Sequence, residues 1–118
     1  MERFIKVACV SEVKPGKGKL IHVAGNGDIA IFNAGGAFYA TQDHCSGDGR
    51  SLSGNTIDGI VIECSSDKAR FFLPTGECID PPGIKSLNTY RVQIEGDEVQ
   101  IDLEETLTDE IIKEKAVA

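Results

Sequence analysis

Short runs of β-forming residues, separated by glycine-rich turns, are the feature that most constrains the fold of this chain. Turn signals recur about every eight to twelve residues, and no helical pattern separates the first strands. In order, the runs are RFIKVACV, LIHVA, DIAIFNA, AFYAT, IVIEC, RFFLPTGEC and YRVQIEGDEVQIDL, the last of which contains a Gly-Asp turn. About eight or nine short strands of this kind predict an all-β, antiparallel sandwich or barrel.

The C-terminal segment has a different pattern from the rest of the chain. Thr108 is a suitable N-cap, and Leu107, Ile111 and Ile112 form one apolar stripe at helical spacing. A length of 118 residues allows one hydrophobic core, and no linker divides the sequence. We therefore predict a β domain over residues 1–103, followed by a short helical tail over residues 104–118.

The charge and hydropathy of the chain exclude some classes of partner. The net charge is -7, whereas binding to nucleic acid or to an anionic membrane needs a cationic surface. No apolar run approaches the roughly 20 residues of a membrane-spanning helix. The first residues, MERFIKVACV, lack the apolar core and cleavage site of a signal peptide. We therefore expect a cytoplasmic protein.

Two of the four cysteines lie in short polar loops. Cys45 is part of DHCSGDGRSLSGN, and Cys64 begins CSSDKARFF. Four widely spaced cysteines are too few for a secreted disulfide framework, so we interpret them as core residues or metal ligands. Cys9 and Cys78 lie outside the two loops and are predicted to be core or strand-end residues.

The order of these segments resembles the order found in a known protein family. FYATQDHC is followed by a glycine-rich loop that contains SLS, then by DGIVIEC, RFFLPTGE, a PP loop and a closing hairpin. Over residues 3–103 this order is similar to the Rieske-type ferredoxins of bacterial aromatic ring-hydroxylating dioxygenase systems. The resemblance implies a small antiparallel β fold in which two loops at one end hold a [2Fe-2S] cluster. It also implies electron transfer from a flavin reductase to a terminal oxygenase.

The ligand pattern of that family is only half present. The family motif is C-x-H, then about 15 to 17 residues, then C-x-x-H, with two thiolates on one iron and two imidazoles on the other. Cys45 and Cys64 match the two cysteines, with 16 residues between Gly47 and Cys64. Both histidine positions are replaced, by Gly47 and by Asp67. We therefore predict that the cofactor is either absent or atypical.

The sequence is compatible with three arrangements at Cys45 and Cys64. In the first, Cys45 and Cys64 hold an atypical [2Fe-2S] cluster with Asp67 and His44 as substitute ligands. In the second there is no metal, and the two cysteines are free thiols or form a disulfide; a reducing cytoplasm favours the thiols. In the third, the same four residues hold one zinc ion, because zinc accepts four ligands of mixed sulfur, nitrogen and oxygen donors.

Two functional hypotheses follow from the resemblance. The first is an electron-transfer component of a dioxygenase system, and the second is a non-redox accessory subunit that retains the docking surface for a flavin reductase or terminal oxygenase. The clusterless small subunit of NADH-dependent nitrite reductase, with which DKARFFLPTGEC shares a pattern, supports the second. No nucleophile and base pair or phosphate-binding loop is recognisable, so we predict a non-catalytic protein. The loop acids are interpreted as turn residues: Asp43, Asp48, Asp58 and Asp67.

Overall fold

The structure is a computed structural model that describes residues 4–23, 27–45, 49–55, 57–64, 69–80 and 82–102. Within these ranges the chain forms ten strands and one turn of 3-10 helix at Val10–Glu12. The strands are β1 (Phe4–Cys9), β2 (Gly18–Val23), β3 (Gly27–Ala34), β4 (Ala37–Gln42), β5 (Ile57–Asp58), β6 (Val61–Glu63), β7 (Arg70–Phe72), β8 (Cys78–Asp80), β9 (Thr89–Glu95) and β10 (Glu98–Asp102).

The strands form two antiparallel sheets. The larger sheet has the order β1-β10-β9-β4-β3-β2, and the smaller has the order β5-β6-β7-β8. This confirms the predicted all-β, antiparallel class. Strand β5 was not predicted, because its two residues follow a long stretch of turn-forming residues. It forms because Ile57 is buried and pairs with Ile62 of β6.

The predicted helical tail, residues 104–118, lies outside the described residues. The helix and the domain boundary at residue 103 therefore stay predictions. Across the ranges that the structure describes, no helix has the length and apolar character needed to cross a membrane.

Strand β3 lies between two hydrophobic clusters and explains the continuous apolar run IAIF. Successive side chains of a strand point to opposite faces. Ile29 and Ile31 pack in one cluster, which is formed mainly by the larger sheet. Ala30 and Phe32 pack in the other, which contains the residues of the smaller sheet and both loop cysteines. Both faces of β3 are thus covered, and the smaller sheet is held against the larger one at this strand.

Gly76 connects the smaller sheet to the segment that precedes β9. Its N–H donates to the carbonyl of Phe72 at 2.6 Å, and its carbonyl accepts from the N–H of Leu87 at 2.8 Å. The backbone has φ +80°, a left-handed conformation that favours glycine. A Cβ at this position would also collide with the backbone carbonyl oxygen of Leu87. Both conformation and space therefore require glycine here.

We expect Gly76→Ala to destabilise the protein by about 2–5 kcal/mol, from left-handed strain of about 1–2 kcal/mol plus overpacking of about 1–3 kcal/mol. The matched control is Gly16→Ala, because Gly16 has φ +82° but no atom within 4 Å of a built Cβ. The control should lose only the strain contribution. Urea unfolding measures both, and equal losses in the two variants would contradict the proposed steric contact with Leu87.

Burial of Tyr90 in β9 predicts a loss of stability at alkaline pH. Burial raises the pKa of the Tyr90 phenol above its ordinary value of 10.0. Above that pH the unfolded chain loses this proton while the folded protein keeps it, so the free energy of unfolding should fall as the pH rises. Urea unfolding between about pH 9 and pH 11 measures the decline. Tyr90→Phe should make the decline shallower, and an unchanged slope would contradict the assignment.

Candidate functional site

The structure brings the two cysteine loops together through a bond between Cys45 and Cys64. The first loop, residues 43–53, follows β4, and the second loop, residues 64–69, joins β6 to β7. Cys45 and Cys64 form a disulfide, with a Cα–Cα distance of 6.2 Å. Of the two metal-free states that the sequence left open, the structure therefore contains the bridged one.

Both cysteines are part of the hydrophobic core. Cys45 is 1% exposed and Cys64 is 2% exposed. Leu52 of the first loop and Ala69 of the second belong to the same buried cluster. The bridge spans 19 positions of sequence, and closing a loop of this size stabilises a fold by about 3 kcal/mol in the chain-entropy model.

The first loop is closed by the carboxylate of Asp43. One carboxylate oxygen accepts from the hydroxyl of Ser51 at 2.6 Å, and the other accepts from the backbone N–H of Ser53 at 2.8 Å. The backbone carbonyl of Asp43 also accepts from the N–H of Leu52. Asp43 is 5% exposed, so these bonds satisfy a buried charge. The sequence interpretation of Asp43 as a local turn residue missed these partners, which lie eight and ten positions further along the chain.

Gln42 holds the start of the first loop to the chain before β9, and sequence reasoning did not identify it. Its side-chain oxygen accepts from the N–H of Asn88 at 2.8 Å, and its side-chain nitrogen donates to the carbonyl of His44 at 2.8 Å. The N–H of Gln42 also donates to the carbonyl of Asn88 at 3.0 Å. A glutamine at the end of a strand has no distinctive sequence signal.

Backbone hydrogen bonds shape the turn around each cysteine. The N–H of Cys45 donates to the carbonyl of Arg50, and the N–H of Gly49 donates to the carbonyl of Cys45, both at 2.8 Å. In the second loop the N–H of Cys64 donates to the carbonyl of Ala69 at 2.8 Å. Each cysteine is thus held by hydrogen bonds within its own loop as well as by the disulfide.

The two histidines lie in different parts of the structure and do not form a pair beside the disulfide. His44 is exposed while its neighbour Cys45 is buried, as expected for adjacent residues of an extended segment. His22 is on β2, and its Nδ1 lies 2.8 Å from a carboxylate oxygen of Asp28 across the β2–β3 hairpin. Gly47 and Asp67 lie outside the described residues. The substitute-ligand roles of His44 and Asp67 therefore stay predictions.

The donor atoms do not fit a Rieske cluster. Such a cluster needs two cysteine thiolates and two imidazoles. Here the two sulfur atoms are bonded to each other, and the chain has glycine and aspartate at the two imidazole positions. Among the residues with described placement, no group of three or more His, Cys, Asp or Glu is arranged to hold a metal ion.

The fold and the paired loops define a class of protein. A family model described as a Rieske-like [2Fe-2S] domain matches residues 3–102, and the chain belongs to this family. Within it, the chain is a relative of dioxygenase ferredoxins. It is 42% identical over 101 residues to the biphenyl dioxygenase ferredoxin subunit of a Pseudomonas species, covering 84% of this chain and 91% of the relative.

Solved structures agree with this family assignment. A chain from a complex of reduced oxygenase and oxidized ferredoxin in carbazole 1,9a-dioxygenase is 32% identical, with a TM-score of 0.77. The match covers 84% of this chain and 92% of that chain. A Mycobacterium tuberculosis protein described as an NADH-dependent nitrite reductase small subunit has a TM-score of 0.76, covering 86% of this chain and 96% of its own. Its identity is 19%, so it shares the fold alone. The comparisons confirm the ferredoxin interpretation and the non-catalytic class.

Asp43→Ala should destabilise the protein by about 3 kcal/mol, because two hydrogen bonds to a carboxylate contribute about 1.5–3 kcal/mol each and part of this is recovered by solvent. Ser51→Ala removes one of the two bonds and should lose about half as much. Ser53→Ala is the matched control, because it keeps the backbone N–H that donates to Asp43 and removes only a hydroxyl contact with Ser51 at 3.2 Å. Urea unfolding ranks the three variants, and an equal effect of Ser53→Ala and Asp43→Ala would contradict the proposed closure.

Proposed function

We propose that this protein is a ferredoxin-type subunit of a ring-hydroxylating dioxygenase system that binds a flavin reductase or terminal oxygenase but carries no normal Rieske cluster. The observation that carries the proposal is the Cys45–Cys64 disulfide in a chain with Gly47 and Asp67 at the imidazole positions. The fold and the two loops of a ferredoxin are retained, while the donors for a di-iron centre are incomplete.

The shape of the domain supports docking on an oxygenase. The carbazole dioxygenase neighbour comes from a complex of oxygenase and ferredoxin, and it matches this chain over most of its length. A net charge of -7 favours association with a basic protein surface, because complementary charge increases the rate of encounter. We therefore assign the retained function to protein binding at the position of a ferredoxin in such a system.

Without a cluster, the proposed binding has a different role from that of a redox-active ferredoxin. Ferredoxins of this class transfer electrons through the iron atoms, so a chain without them does not relay electrons in the usual way. The proposed role is that of a non-redox accessory subunit. The nitrite reductase small subunit is the second candidate, and the pattern that DKARFFLPTGEC shares with that subunit supports it. The identity to the biphenyl dioxygenase ferredoxin subunit favours the dioxygenase system.

Restoring the family ligands tests the first half of this proposal. The wild-type protein, purified anaerobically, should be colourless and contain no stoichiometric iron, sulfide or zinc. The double variant Gly47→His/Asp67→His recreates C-x-H and C-x-x-H and, once the cysteines are reduced and the protein reconstituted, should gain about two irons and two sulfides per chain. Visible absorption and metal analysis measure both proteins.

Each single histidine variant is the matched control and should stay colourless, because one imidazole leaves the second iron without a full ligand set. A wild-type protein with about two irons and two sulfides would contradict the clusterless assignment. One zinc per chain in the wild-type protein would instead support the mononuclear site at Cys45, Cys64, Asp67 and His44 and would contradict the Cys45–Cys64 disulfide on which the proposal rests.

Competition with a working ferredoxin tests the second half. Purified biphenyl dioxygenase components supply the reductase, the oxygenase and a cluster-bearing ferredoxin, and NADH consumption reports electron transfer. Excess wild-type protein should slow turnover, and more ferredoxin should restore it, because both proteins occupy the same docking surface. The effect should weaken with salt, as expected for a charge-assisted encounter. Unchanged turnover at all ratios, together with no binding to either component in calorimetry, would contradict the proposed docking.

A further inference from the structure

The larger sheet separates between β4 and β9. In the part of the chain that the structure describes, the ladder between these strands contains two pairs, Ala40 with Tyr90 and Thr41 with Thr89. Strand β4 begins before this ladder, and β9 continues beyond it on the same side. Toward the start of β4 and the end of β9 the two strands therefore diverge, and a cleft of about 320 Å³ lies there.

Apolar and aromatic side chains line the cleft, together with one cation. The lining includes Phe38, Tyr39, Leu73, Tyr90, Arg91 and Val92. Phe38, Tyr90 and Val92 pack against the hydrophobic cluster of the larger sheet and are only partly buried. Tyr39 packs in the same way against the cluster that contains the smaller sheet. The walls of the cleft thus consist of partly accessible side chains from both clusters.

We propose that the tail, residues 104–118, binds in this cleft as a helix, with Leu107, Ile111 and Ile112 packed against the lining residues. The tail lies outside the described residues, and its helix is a prediction from the sequence. This inference goes beyond the proposed function and does not involve the disulfide.

The end of β10 brings the tail close to the cleft. The described chain ends at Asp102, which is the partner of Arg91 in the β9–β10 ladder, and Arg91 lines the cleft. Adjacent strands are about 4.8 Å apart, so residue 103 begins about one strand spacing from the cleft wall. The five residues 103–107 span up to about 17 Å when extended. Leu107 can therefore reach the cleft without a rearrangement of β10.

The tail and the cleft have complementary side chains. Leu107 and Ile111 are four positions apart, so both lie on one face of a helix and present aliphatic surface to the aromatic and aliphatic lining. Glu104 and Glu105 follow β10 almost directly, on the side of the sheet where the exposed cation Arg91 lies on the neighbouring strand. Opposite charges at this entry favour the docked arrangement.

A helix at this position also covers strand edges. The ladder between β4 and β9 ends at Ala40 and Tyr90, although both strands continue. Exposed strand edges promote pairing with other chains, and natural proteins often cover them with a helix or a loop. The proposed docking of the tail supplies such a cover from within the same chain.

Covalent linkage favours the tail over a second copy of the chain. A short flexible connection gives an attached segment an effective concentration of about 1 mM. A second copy at about 1 µM would need an affinity about 1000-fold higher for the same occupancy. Weak apolar contacts are therefore sufficient for the tail, and we assign the cleft to it.

Tyrosine fluorescence of the complete chain tests this assignment. The chain has two tyrosines and no tryptophan, and both tyrosines, Tyr39 and Tyr90, line the cleft. Quenching by acrylamide therefore measures the accessibility of the cleft itself. Leu107→Ser/Ile111→Ser should increase the quenching constant by at least about twofold, because the undocked tail leaves both rings accessible.

The matched control is Asp109→Ser/Lys113→Ser. These residues have the same spacing as Leu107 and Ile111 but lie on the opposite face of the predicted helix, and their replacement leaves the net charge unchanged. The control should be quenched like the wild-type protein. A synthetic peptide of residues 104–118 contains no aromatic residue, and at about 1 mM it should restore protection to the Leu107→Ser/Ile111→Ser variant.

Nuclear Overhauser contacts in the wild-type protein provide a second measurement, which stands even if the serine variant does not fold. The methyl groups of Leu107 and Ile111 should show contacts with the rings of Tyr39 or Tyr90.

Absence of these contacts in the folded wild-type protein would overturn the proposal, as would equal quenching of the wild-type protein and the Leu107→Ser/Ile111→Ser variant. Quenching that falls as the protein concentration rises, with sedimentation as a dimer, would place a second copy in the cleft and would also overturn it. None of these measurements depends on the state of Cys45 and Cys64, so failure of this proposal leaves the proposed function intact.

Discussion

The bond between Cys45 and Cys64 joins two loops that are far apart in the chain and come from different parts of the fold. One loop follows a strand of the six-stranded sheet, and the other lies inside the four-stranded sheet. The cysteines are buried with Phe32 of β3 in one hydrophobic cluster. The candidate site is thus organised by core packing and one covalent bond.

This arrangement explains how a Rieske-type fold persists without the usual ligands. A bound cluster would connect the two loops through metal–ligand bonds, and here the same two cysteines connect them directly. The buried carboxylate of Asp43 gives the first loop its shape from within the protein chain. Gln42 ties the start of that loop to Asn88, next to β9. The scaffold that presents the loops is thus held by contacts within the protein chain, and the docking function proposed for this subunit needs only the scaffold.

Much of the architecture could be predicted from the sequence, because its signals are local. Runs of β-forming residues separated by glycine turns indicated the strands that pair as β2–β3 and β9–β10. Strand β5 was missed because two residues are too few to produce a pattern. The role of Asp43 was missed for a different reason: its partners Ser51 and Ser53 are brought to it by the closure of the loop, whereas sequence rules for aspartate describe bonds to its nearest neighbours.

The sequence by itself determined that the family's ligand set is incomplete, since a glycine at position 47 has no side chain to bind iron in any conformation. It also determined the antiparallel β class, through the short runs of β-forming residues and the turn residues between them. Only the tertiary structure decided that the two cysteines are bonded and buried, and that β3 has a hydrophobic cluster on each face. These features depend on contacts between residues distant in the chain, and the free energy of such contacts is defined only once the sheets have packed.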